Sequence, residues 1–276
     1  MKNLKLILIA MAAMIIAVSC GSKNKAQKAL VLYYSQTSNT KLVADEIAKK
    51  LNADIEAIEA VNPYDGDFNA TIQRCIEERK EGVIPEIKPL KSDIKNYDVI
   101  FIGYPIWFGT YAPPVATFLK NVDLSGKTIV PFCTFGSGGL ESSVQDMIKA
   151  QPNANVLAGY GVRAARLDAM PAEVDQFLKE NGFIDGEYVR LDDFSEMGEA
   201  GEKESAIFDA ATGDYPMMHA KAKYVTSRPI PNGTEFMFIA VDLPREDKPD
   251  MPPAGEMKVF VTVIDGEAPV FTKVIR

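Results

Sequence analysis

Apolar and polar positions follow two regimes along the chain. From Ala29 to about Ile184, short continuous apolar runs alternate with stretches in which apolar residues return at helical spacing. Ala29–Tyr34 reads as a strand buried on both faces. Leu42, Val43, Ile47 and Leu51 then place Lys41–Leu51 on a helix. The same alternation predicts strands at Asp54–Val61, Tyr97–Gly103, Lys127–Cys133 and Asn155–Gly161. It predicts helices at Asn69–Glu81, Pro113–Asn121, Gly139–Ala150 and Ala172–Asn181. The prolines opening Pro113–Asn121 fall in a first turn, where a missing N–H costs little. Pro131 is awkward inside a central strand, because it withdraws a ladder donor. Five strands alternating with helices predict an α/β fold, a doubly wound five-stranded parallel sheet covered on both faces by right-handed crossovers.

From Glu187 the pattern changes. Asp192–Ser205 is acidic and contains glycine, as a linker or surface loop does. Lys221–Ile230, Glu235–Leu243, Glu256–Ile264 and Ala268–Ile275 are rich in Val, Ile, Phe and Thr, the residues of strands. Asn232-Gly233 and Asp265-Gly266 are hairpin signals, and Arg245–Gly255 is a charged, proline-rich loop. A small C-terminal antiparallel β-domain is therefore expected after the α/β region.

The first residues read differently again. Lys2 and Lys5 precede an uncharged apolar run, Leu6–Val18, which is shorter than a usual membrane span of roughly 20 residues. This is the layout of a secretory signal. Its end, Ala17-Val18-Ser19-Cys20-Gly21, resembles a bacterial lipoprotein lipobox, which implies lipidation of Cys20 after cleavage. The expected organisation is a signal peptide over 1–19, a tether over 20–28, the α/β domain over 29–184, and a linker with the small β-domain over 185–276.

The 276 residues carry 30 Lys and Arg against 38 Asp and Glu, a formal net charge of −8. That balance argues against nucleic acid and suits a protein that docks basic partners. Cys75 and Cys133 are too few for a disulfide scaffold and read as buried thiols. His219 stands alone, and no metal-ligand spacing or nucleophile–base pair is found. No catalytic residue and no metal site is expected.

The candidate chemistry lies in three loops, each after a predicted strand. Ser35-Gln36-Thr37-Ser38-Asn39-Thr40 joins the first strand to the first helix. Its hydroxyls and amides, beside free helix N–H groups and the positive end of the helix dipole, suit an anion held without a basic residue. An ordinary helix cap is the plainer reading of such a turn taken alone. The glycine patterns for dinucleotides and nucleoside triphosphates are absent. Tyr104-Pro105-Ile106-Trp107-Phe108-Gly109-Thr110 follows the third strand and holds the one tryptophan of the chain. Its aromatics offer a flat wall, and Gly109 offers close backbone approach. Thr134-Phe135-Gly136-Ser137-Gly138-Gly139 follows the fourth strand.

The segment 29–184 resembles the flavodoxin family through Leu30–Thr40, Asp98–Val115 and Val130–Gly139. The resemblance implies a flavodoxin-like sheet order, with the switch between the first and third strands, and noncovalent FMN. It places the phosphate at Ser35, Gln36, Thr37, Ser38, Asn39 and Thr40. Ring contacts fall to Pro105, Ile106, Trp107, Phe108, Gly109, Phe135, Gly136 and Gly138. A second aromatic covering the ring has three candidates, Tyr64, Tyr104 and Tyr160. Acidic groups near the ring would lower its potential. The implied function is an electron-transfer protein, lipid-anchored in the cell envelope and facing the periplasm, with a redox partner protein. Two alternatives stand beside it: an FMN-dependent reductase of a quinone or small molecule, and a non-catalytic binding lipoprotein that works through its β-domain.

Overall fold

The structure, a computed structural model, describes residues 27–64, 67–216, 218–244 and 255–276. The expected signal peptide, Cys20 and nearly all of the tether lie outside these residues, as does most of the Arg245–Gly255 loop. Among the described residues no helix is long and apolar enough to cross a membrane.

The first sheet is built from β1 (Ala29–Tyr33), β2 (Asp54–Ala57), β3 (Val99–Trp107), β4 (Thr110–Tyr111), β5 (Thr128–Phe135), β6 (Asn155–Val156) and β7 (Tyr160–Arg163). Its parallel order is β2-β1-β3-β5, with β6 and β7 both pairing with β5 as two pieces of one edge. This is the expected doubly wound, flavodoxin-like order, with the switch at β1 and β3. Helices α1 (Asn39–Leu51), α2 (Phe68–Glu81), α3 (Pro113–Asn121), α4 (Leu140–Ala150) and α5 (Met170–Glu180) complete the crossovers. β1 shows why the alternation was legible. Leu30 and Leu32 enter one core with Ile100, Phe118 and Met147, while Val31 enters the other with Val43, Ile47 and Val174.

Pro131 lies within β5, and the structure accommodates it by breaking the neighbouring strand. β5 pairs with β6 through Thr128 and Ile129 and with β7 from Phe132 onward. The gap faces Pro131, which has no N–H to give. Gly159 turns there at φ +81°, and a Cβ on it would lie 2.5 Å from the Pro131 carbonyl oxygen. The expected single strand Asn155–Gly161 is therefore two strands. The second predicted strand is also shorter than Asp54–Val61, because β2 ends at Ala57 and Ala60 instead bridges Ile87.

The second sheet is antiparallel, in the order β12-β11-β10-β9-β8. Its strands are β8 (Gly198–Glu199), β9 (Ala220–Ile230), β10 (Gly233–Asp242), β11 (Glu256–Ile264) and β12 (Val270–Ile275). The expected linker over Asp192–Ser205 is corrected in part. It contains β8 and the start of α6 (Glu202–Thr212). Glu202 and Glu204 sit in the first turn of α6, where carboxylates complement the dipole. Their charge disguised a helix with few apolar positions. Phe208 of α6 is fully buried against Phe238, Val259 and Phe271. The first hairpin also differs from expectation. Ile230 pairs with Gly233, so the turn is Pro231-Asn232, with Asn232 at φ +59°. Gly233 already belongs to β10, where a Cβ would strike the Val263 carbonyl oxygen at 2.1 Å.

Candidate functional site

The three predicted loops meet at the carboxyl ends of β1, β3 and β5. The first begins at Tyr34, whose N–H donates to the Gly103 carbonyl at 2.9 Å and fixes the turn to β3. Ser38 precedes α1 in the left-handed region, φ +68°, and no side chain caps the helix. The first-turn N–H groups of α1 therefore keep their donor capacity for a ligand or water. Thr37 and Ser38 are exposed, Ser35 and Asn39 partly so. Lys41, the nearest cation in the chain, reaches Asp45 at 2.6 Å. Two members of the turn are engaged elsewhere. The Gln36 side-chain amide donates to the Tyr64 carbonyl at 2.8 Å and to Thr71 Oγ1 at 2.7 Å, tying the turn to α2. Thr40 is buried, its hydroxyl 2.9 Å from that of Thr134 on β5.

The second loop is a tight hairpin. Trp107 pairs with Thr110, which leaves Phe108 and Gly109 as the turn, at φ +51° and +80°. Left-handed backbone at both central residues matches the right-handed twist of the flanking strands. Gly109 thus serves the turn, and nothing approaches its Cβ position within 4 Å. Phe108 carries the steric cost of left-handed backbone, and its ring stands 47% exposed with the Arg79 guanidinium 5.1 Å from its centroid. Trp107 is partly buried and packs edge-on against Tyr34 and Tyr64, at centroid distances of 5.7 and 5.2 Å.

Together these loops border an open cleft of about 990 Å³. Gln36, Ile106, Trp107, Phe108, Gly109, Gly136 and Gly138 of the sequence-predicted set line it. Ser35 and Thr37–Thr40 stand beside Gln36 without lining it, and Pro105 does not reach it. Phe135 is 5% exposed and points into the core. The three tyrosines named as second ring covers are all buried, Tyr104 and Tyr160 among core residues and Tyr64 behind Trp107. The exposed aromatics at the cleft are Phe108 and Phe68 of α2, which sequence reasoning placed outside its helix.

Among the described residues, two charged ones line the cleft. Glu141 lines it but meets Lys273 at 2.6 Å, and Arg276 lines it as well. The carboxylate lining the cleft is thus paired with a lysine from β12. Burial raises the Tyr34 hydroxyl well above its ordinary range. It does the same for Tyr64, which also donates to Glu78 Oε2 at 2.5 Å. Burial likewise pushes up the Cys75 and Cys133 thiols, so both free cysteines remain protonated at neutral pH. Among the described residues no cluster suits a metal ion.

Residues from α2, α4 and β12 complete the cleft, including Thr71, Ser142, Val274 and Ile275. Ser142 was within reach of sequence reasoning, since α4 follows the third loop directly, and its hydroxyl donates to the Gly109 carbonyl at 2.6 Å. Val274 and Ile275 carried no local signal.

These features define an open, doubly wound α/β protein with its ligand cleft at the switch point of strand order. The family model described as flavodoxin matches residues 28–172, and the chain belongs to the flavodoxin family. An uncharacterised protein of Methanocaldococcus jannaschii is 30% identical over 129 residues, which is 45% of this chain and 67% of the relative. Among solved structures, a candidate flavoprotein of Bacteroides eggerthii is 33% identical. It covers 54% of this chain and 96% of its own, with a TM-score of 0.46. A flavoprotein of Lactobacillus acidophilus in complex with FMN is 28% identical and covers 54% of this chain and 97% of its own, with a TM-score of 0.45.

Proposed function

We propose that the protein is an FMN-binding flavoprotein that transfers electrons while tethered to the cell envelope, facing the periplasm. One observation carries the reading: an aromatic hairpin and a glycine loop line one cleft at the strand ends, and Gln36, which also lines it, belongs to the turn that leads into an uncapped helix start. The residues fit the cofactor. The first turn of α1, with Ser35 and Thr37–Asn39, offers neutral donors for a phosphate. Trp107 and Phe108 offer aromatic surface to a planar ring, and the backbone at Gly109 and Gly136 is open to it. Bound there, FMN supplies the redox chemistry, while the protein positions it and sets its surroundings. A basic redox partner suits the net charge of −8.

Titration of the purified protein should show FMN binding at least about tenfold more tightly than riboflavin, the worth of one hydrogen bond to a charged group. Equal affinities would remove the phosphate role from Ser35–Thr40. The anchor has its own test. Cys20→Ser should shift the protein from the membrane fraction to the soluble one, and unchanged fractionation and processing would refute lipidation.

A second reading, an FMN-dependent reductase of a quinone or small molecule, is favoured by the exposure of Phe68 and Phe108 at the cleft. Steady turnover of a quinone by the loaded protein would select it over the carrier.

A further inference from the structure

Arg163, at the carboxyl end of β7, is partly buried and meets no carboxylate among the described residues. Its Nε donates to the Gly136 carbonyl at 2.8 Å and a terminal nitrogen donates to the Phe271 carbonyl at 2.7 Å. The guanidinium also lies over the rings of Phe271 and Tyr215, 4.2 and 5.2 Å from their centroids. Desolvation disfavours a charge in this position, and the carbonyls and ring faces offset that cost. The contacts join the loop after β5 to the edge strand of the other sheet.

The backbone makes the same junction. The Val274 N–H donates to the Ser137 carbonyl at 2.7 Å. Val274 sits opposite Val259 in the ladder and spends its donor outward, away from β11. A Cβ on Gly138 would lie 2.1 Å from the Val274 carbonyl oxygen, so the approach needs glycine. Lys273 adds its ion pair with Glu141. Val274, Ile275 and Arg276 then line the same cleft as Trp107, Phe108 and Gly136.

We propose that the C-terminal sheet is part of the cofactor site: β12, latched by Arg163, forms a further wall of the cleft that retains the flavin and restricts access to its ring. This rests on the FMN reading above. It assigns the sheet a task and makes Gly138 a docking residue as much as a ring contact.

The test uses the full chain loaded with FMN. Arg163→Met removes both carbonyl donors while keeping the bulk of the side chain. Val274→Pro removes an N–H that the ladder does not use, on an edge strand where proline is tolerated. Arg163→Lys keeps a cation and should fall between. FMN release is followed by its fluorescence recovery, and ring exposure by solvent perturbation of the bound flavin spectrum. Release should quicken about tenfold in Arg163→Met and Val274→Pro, equivalent to about 1.4 kcal/mol, with a larger solvent perturbation in both. Wild-type release and perturbation in both variants, with folding confirmed by circular dichroism, would overturn the proposal. Failure of the unaltered protein to bind FMN would instead overturn the cofactor reading, and this proposal with it.

Discussion

Gly103→Ala is expected to lower the unfolding free energy of the α/β region by about 1–3 kcal/mol, the usual penalty for overfilling a packed core. Gly103 is buried in β3, between β1 and β5. A Cβ there would fall 2.2 Å from two atoms of the Phe132 ring. Phe132 is 0% exposed and packs with Phe101, Val130 and Val162, so its ring has nowhere to retreat. The strand must shift instead, and the Gly103 carbonyl is the acceptor that fixes Tyr34 at the start of the first loop. Denaturant unfolding of the single variant, of Phe132→Leu and of the pair checks this. The pair should lose less than the sum of the singles, because leucine vacates the space the new methyl needs. Additive losses would show that the ring is not the obstacle.

Trp107→Ala should weaken both the site and the fold. FMN affinity should fall by about 1–3 kcal/mol, by analogy with base–aromatic stacking. Truncating a fully buried tryptophan costs about 3–5 kcal/mol of stability, and a partly buried one less, so about 2 kcal/mol is expected here. The structural reason is the edge-on packing against Tyr34 and Tyr64, which leaves Trp107 with one side in the core and another in the cleft. Apoprotein unfolding and flavin titration on the same variant separate the two losses. Unchanged FMN affinity beside a large stability loss would assign Trp107 to the core alone.

The sheet and its crossovers were legible because their signals are local. Leu30, Val31 and Leu32 are apolar in succession because a central strand is buried on both faces, and Val43, Ile47 and Leu51 repeat because a helix has one covered face, from which Leu42 is turned away and half exposed. The loops were found by their place after each strand. Side-chain direction inside them was not readable. Phe135 and Phe108 look alike in sequence, yet one turns into the core and the other out of a left-handed turn. Pro131 was seen as a difficulty, but its resolution lies in another strand, at Gly159. β12 was predicted as a strand and its destination was not, since docking on Ser137 and Gly138 involves nothing periodic or compositional.

The junction between Arg163 and Phe271 spans 108 residues of chain, and that between Glu141 and Lys273 spans 132. Contacts so far apart in sequence carry a loop-closure cost that is repaid only once they are made. The α/β core carries contacts of comparable span, such as Lys50 to Asp175 across 125 residues. Without these junctions the cleft would lack the wall that Val274, Ile275 and Arg276 supply. On the cofactor reading proposed above, FMN held in the cleft would resist separation of the last strand, so binding and docking of that strand stabilise one another.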